Sequence, residues 1–188
     1  MVELKNVDLA IFETDLGLLP GGKLKLVKNS QITLDNLIRT PSGKIPFQTL
    51  CMNASITNVN DFYVATNVGQ IVHINRKGST FSSSLLKSDI QNGLVYVNCV
   101  SFHHDLQEIF LAGYGNGEIR LYHINYMTPI KTWLLGCNNN KIKQIEWLQC
   151  RSSAFLVIDE SDNLYMWDLL QDDTQSIFSK EIVKYVFF

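Results

Sequence analysis

No apolar run in this sequence approaches the roughly 18 residues that a helix needs to cross a bilayer. The N-terminal stretch, Met1-Val-Glu-Leu-Lys-Asn-Val-Asp8, has neither the basic start nor the long apolar centre of a signal peptide. Cysteine is scarce: Cys51, Cys99, Cys137 and Cys150 stand far apart, and no Cys-x-x-Cys pair occurs. Neither a zinc motif nor a disulfide framework is written in that spacing, and reduced, buried thiols are expected. These absences lead to the expectation of a soluble, cytoplasmic protein without a membrane span. An excess of positive charge is missing as well, with 16 Lys and Arg against 18 Asp and Glu. Nucleic-acid binders carry a basic stripe, so no nucleic acid is expected as a partner. A helical stripe at i, i+3, i+4, i+7 is also hard to sustain anywhere.

What the chain does have is a repeat. Val97-Asn-Cys-Val-Ser-Phe102, Ile109-Phe-Leu-Ala112, Gly113-Tyr-Gly-Asn-Gly117 and Glu118-Ile-Arg-Leu-Tyr-His-Ile124 are followed by Ile142-Lys-Gln-Ile-Glu-Trp147, Ala154-Phe-Leu-Val-Ile158, Asp159-Glu-Ser-Asp162 and Asn163-Leu-Tyr-Met-Trp-Asp168. A shift of 45 positions superposes Phe102 on Trp147, Ala112 on Val157, Ile119 on Leu164 and Tyr122 on Trp167. Each unit reads as short strands of period two closed by turns. Gly113, Gly115 and Gly117 supply turn conformations in the first, and Asp162-Asn163 can do so in the second. The class is all-β, and a composition 46% hydrophobic and 18% charged is that of a globular chain.

Taken in order, residues 1–40 show only a hairpin, from the apolar run Val7 to Phe12 and the alternation Leu24 to Lys28. Residues 51–90 form a clearer unit, with strands expected near Ala54–Thr57, Phe62–Thr66 and Gln70–Ile74, and an outer strand possible at Leu85-Leu86. Units at 97–135 and 142–170 follow. The stretch Glu181 to Phe188 resembles a strand, as if a sheet continued.

Several constellations invite a chemical reading. The glycines of 113–117 are not followed by the Lys-Ser/Thr or the helix of a phosphate cradle. His103-His104 would point to opposite faces if they lay on a strand, which argues against a shared metal. His73 and His123 fall at strand ends, where exposure or satisfaction within the sheet is expected. The Asp159–Asp162 turn lacks the spacing and glycine of an EF-hand, and the late acids, Asp159 to Asp173, read as a solvated rim. No Gly-x-Ser-x-Gly elbow occurs. The expectation is a protein that is not an enzyme and has no cofactor, metal or catalytic residue.

With Tyr122-His123 and Trp167-Asp168 closing the third strand of their units, the repeats resemble the WD-repeat family. The resemblance implies a partial β-propeller of about three to three and a half four-stranded blades, part of a longer propeller. The run from Ile145-Glu-Trp147 to Ala154-Phe-Leu-Val-Ile-Asp-Glu-Ser-Asp-Asn-Leu-Tyr-Met-Trp-Asp-Leu-Leu170 further resembles dynein intermediate chains, those of the ciliary dynein of retrograde intraflagellar transport in particular. That resemblance implies a non-catalytic subunit whose partners are the dynein heavy chain and light chains, in the cytoplasm, cilium and cytoskeleton. The alternative is another WD-repeat scaffold, such as a ubiquitin-ligase substrate receptor or trafficking adaptor. Interaction energy concentrates in a few aromatic anchors, and the partner-binding candidates are Tyr114, Tyr126 and Trp133. Phe102, Leu111, Leu121, Trp147, Phe155, Val157 and Met166 are the expected core.

Overall fold

The computed structural model describes residues 8–15, 25–33, 49–55, 58, 60–77, 80–86, 95–135 and 140–182. Among them every regular element is a strand. The strands β1 (Asp8–Asp15) and β2 (Lys25–Thr33) pair as an antiparallel hairpin. Three four-stranded antiparallel meanders follow. The first sheet is β3 (Thr49–Ala54), β4 (Asp61–Thr66), β5 (Ile71–Lys77) and β6 (Thr80–Leu86). The second is β7 (Val97–Phe102), β8 (Ile109–Tyr114), β9 (Glu118–His123) and β10 (Lys131–Leu134). The third is β11 (Ile142–Trp147), β12 (Ala154–Asp159), β13 (Asn163–Asp168) and β14 (Phe178–Glu181). β3 packs beside β7 and β7 beside β11, so the first strands stand next to one another and the sheets radiate from them. This is the partial propeller that the repeat predicts.

The first strands share an irregularity that explains their uneven sequence pattern. Register slips at Thr49/Cys51, at Val97/Cys99 and at Ile142/Gln144. A bulge of this kind inserts one residue and re-aims the side chains after it. Val97, Val100 and Phe102 therefore reach one face together, as do Ile142, Ile145 and Trp147, although neither set alternates. Two expectations shift at strand ends. The first strand of the first sheet ends at Ala54 rather than beginning there, because Ser55 N–H donates to the Asp61 carbonyl (2.8 Å) and closes the hairpin at once. The third sheet gains its outer strand at Phe178–Glu181, past residue 170. Residues 183–188, the rest of the strand-like tail, lie outside the described residues.

The second and third strands of every sheet meet at a turn that needs a left-handed residue. Gly69 (φ 79°), Gly117 (φ 82°) and Asp162 (φ 60°) fill that one place. Asp tolerates the region because its short side chain bonds locally, which is how the third turn does without glycine.

Two apolar interfaces hold the sheets together. Between the first and second, Tyr63, Phe102, Phe110 and Tyr122 are buried in one cluster. Phe102 and Phe110 lie 5.1 Å apart, and Phe110 stacks on Tyr122 at 5.1 Å. Between the second and third, Trp147, Phe155 and Trp167 repeat that column, at 5.4 and 5.9 Å, inside a cluster with Leu111, Ile119 and Trp133. The packing there is close: a Cβ on Gly113 would fall 2.5 Å from Ile142 Cγ2. Of the expected core, Phe102, Leu111, Trp147, Phe155 and Val157 are buried, whereas Leu121 and Met166 are half-buried.

Candidate interaction surface

In a meander the connections from first to second strand and from third to fourth lie at one end of the sheet, and those from second to third at the other. The loops 103–108, 124–130, 148–153 and 169–177 thus share one end of the second and third sheets. They are tied to one another. His103 Nε2 lies 2.7 Å from the Ser152 carbonyl, and Ser152 Oγ donates to Asp105 Oδ2 at 2.5 Å. Ile124 N–H donates to the Glu108 carbonyl (2.9 Å), and His123 Nε2 lies 3.1 Å from the Glu108 carboxylate. Lys131 pairs with Asp173. The result is one continuous rim of four loops.

The three candidate anchors part company here. Tyr114 is the last residue of β8, 1% exposed, its hydroxyl 2.8 Å from that of Tyr122 and its ring under the Arg120 guanidinium, 4.3 Å from the centroid. Burial first, then the neighbouring Tyr122, pushes its hydroxyl well above the ordinary tyrosine pKa. Trp133, 4% exposed, lies against Phe155 and Trp167 and donates through Nε1 to the Asp173 carbonyl (2.6 Å). Both are packing residues between or within sheets. Tyr126 is 59% exposed on the rim, with its ring 5.3 Å from that of His123. Leu106, Met127, Ile130 and Leu170 are exposed apolar residues of the same rim, Leu170 at 84%. Sequence reasoning passed over these four, since single apolar residues in loops carry no pattern.

Groups that invite a chemical reading are committed to holding turns. His103 Nδ1 accepts from the backbone N–H groups of Asp105 (3.0 Å) and Leu106 (2.9 Å), which leaves Nε2–H to donate to Ser152. Both ring nitrogens are thereby engaged within the turn, and neither is left for a metal. His103 and His104 do not point apart, as strand residues would. Their rings stack at 4.8 Å and 7°, because β7 ends at Phe102 and both lie in the turn. The ligand atoms of His103, His104 and Asp105 fall within 4.8 Å of one another, yet the first of them is already used. His73 is satisfied by Asp61 at 3.1 Å.

Asp159 is buried at the end of β12 and receives Asn163 N–H (2.8 Å), Asn163 Nδ2 (2.9 Å), Asn140 Nδ2 (2.9 Å) and Tyr165 OH (3.3 Å). Burial pushes its pKa up, but these donors outweigh burial and hold the carboxyl below its usual range. Asp168 is held likewise by Ser153, Leu170 N–H and Arg151. Of the thiols, Cys99 is buried and its pKa is pushed up to about 12 by that burial, Cys51 is half-buried, and Cys150 is exposed. Cys150 departs from the expected burial because it sits in the turn after β11. Cys137 lies outside the described residues.

No family model matches the sequence. Two curated relatives do, over nearly all of it: cytoplasmic dynein 2 intermediate chain 1 of Mus musculus and of Homo sapiens, each 32% identical over 186 residues, or 97% of this chain. The chain spans 18% of the mouse protein's length and 17% of the human one's. Among solved structures, Raptor of Chaetomium thermophilum superposes with a TM-score of 0.63 at 15% identity, covering 86% of this chain and 14% of that one. That likeness concerns the fold alone. The chain is a partial β-propeller, similar over nearly its whole length to cytoplasmic dynein 2 intermediate chain 1.

Proposed function

We propose that this chain is a non-catalytic scaffold of a dynein motor complex. In this reading it docks on the heavy chain through its propeller, works beside light chains, and serves retrograde intraflagellar transport in the cytoplasm and cilium. The observation that carries the reading is the 32% identity over 97% of the chain, which runs through all three sheets rather than through one motif. The use of His103, Asp159 and Asp168 as turn fasteners fits a rigid platform. The units also belong to a longer propeller in this reading: Leu156, Ile158, Leu164 and Met166, on the far face of the third sheet, are only half-buried. A rim rather than a cleft is then the docking element, with Tyr126 as an anchor; Tyr114 and Trp133 support the sheets that carry it. The test is affinity purification of the tagged chain from ciliated cells with mass spectrometry. Recovery of a ciliary dynein heavy chain with its light chains supports the reading. Recovery of cullin adaptors without dynein removes it.

A further inference from the structure

The two ends of the second and third sheets differ in chemistry. At the end of the second-to-third-strand turns, Glu160 and Asp162 each have a lysine partner, Lys141 and Lys143, and Asp159 is buried among neutral donors. At the rim, the two Lys or Arg side chains among the described residues are both occupied, Arg151 by Asp168 and Lys131 by Asp173. Three more carboxylates have no Lys or Arg partner among the described residues: Asp105 meets Ser152 and His104, Glu108 meets His123, and Asp172 accepts from the hydroxyl and backbone N–H of Thr174. Among them stand the exposed apolar side chains of Leu106, Tyr126, Met127, Ile130 and Leu170. Clustered exposed apolar groups mark a contact site, and the surrounding sign of charge selects the partner.

We propose that this rim is a docking surface for a basic amphipathic protein segment, whose apolar side chains meet Tyr126, Ile130 and Leu106 and whose Lys or Arg side chains meet Asp105, Glu108 and Asp172. Several features suit the task. The loops are pre-ordered by Ile130 N–H on the Leu121 carbonyl (2.7 Å), Tyr126 N–H on the His123 carbonyl (2.9 Å) and the His103 fastening, so little ordering entropy is lost on binding. Ser152 and Thr174 hydroxyls hold Asp105 and Asp172 below the usual carboxylate range, so both stay charged through neutral pH.

This inference deepens the scaffold reading by naming the end that docks and the chemistry of what docks there. It is tested without the motor, so that either can fail alone. The probes are a synthetic amphipathic helix of leucine and lysine and its twin of leucine and glutamate, added to the full chain and followed by titration and amide hydrogen exchange. The expected result is binding of the lysine helix only, weakened by salt, with protection at 103–108 and 124–130. Affinity should fall about tenfold or more, about 1.4 kcal/mol, in Tyr126→Ala/Ile130→Ala and in Glu108→Lys, all exposed changes that leave the core intact. Equal binding of both helices, protection at the opposite turns, or no binding at all would overturn it. If the lysine helix binds at the rim while dynein chains are missing from the purification, the dynein reading falls and this one stands.

Discussion

The second and third sheets are built on the same pattern and end up in different surroundings. Each has an aromatic column across its first three strands, Phe102, Phe110 and Tyr122 in one, Trp147, Phe155 and Trp167 in the other. The last residue of the second strand differs: Tyr114 fills that place in the second sheet and Asp159 in the third. The far faces differ more. Leu111, Ile119 and Trp133 of the second sheet are buried against the third, while Leu156, Leu164 and Met166 of the third are half-buried and Phe178 is 46% exposed. Residue type alone does not decide burial in a repeat. The neighbouring sheet does, because each repeat unit buries its face only by stacking.

The strongest way to break the comparison is to remove a column ring. Trp147→Ala should cost about 3 to 5 kcal/mol, since Trp147 is buried between Phe155 and the second sheet and the space left cannot refill. Urea unfolding measures this, and a loss under 1 kcal/mol would mean that the column does not bear on stability.

A smaller effect separates the turns. Gly117→Ala places a Cβ at φ 82° and should cost about 1 to 2 kcal/mol. Asp162→Ala removes local bonding at φ 60° along with the Lys143 pair, but introduces no new Cβ, so its loss should be the smaller of the two in the same assay.

The smallest effect is one of pH, and at this one position of the repeat it belongs to the third sheet. The Asp159 carboxyl is lowered in the folded state, so it contributes stability above its unfolded value, about 3.9, and that contribution fades as pH falls through the folded value. Tyr114, at the same place in the second sheet, titrates nowhere near this window. Unfolding curves recorded as pH falls below 4 should therefore lose less in Asp159→Asn than in the parent, measured from each protein's own value at pH 7. Equal slopes would remove Asp159 from the acid limb.

The sequence made the repeat legible because a column residue recurs at one offset: Phe102 and Trp147, then Tyr122 and Trp167, are visible without any structure. The bulge was not, since it exists only in the pairing of two strands. The outer strands were the faintest. Phe178–Glu181 is exposed at every residue, and a strand with no buried face leaves no alternation to read. Tyr114 and Trp133 looked like loop aromatics because glycines flank the one and an unpatterned connection, 124–130, precedes the other. Pairing with Val97 of β7 makes Tyr114 a strand residue, and pairing with Ile119 of β9 does the same for Trp133. Tyr126, read the same way, is a true surface residue. The rim itself is assembled from four loops that lie far apart in the chain and meet only when the sheets stack.

Stacking against the next sheet, and not residue identity, sets what each face contributes. The most direct measurement is a pair of unfolding free energies, for Trp133→Ala and Phe178→Ala, which change aromatic residues on the far faces of the two outer strands. A loss of about 3 kcal/mol or more for Trp133 beside one within about 0.5 kcal/mol for Phe178 is the predicted result. Equal losses would contradict it, for the far face of the third sheet would then be as well covered as that of the second.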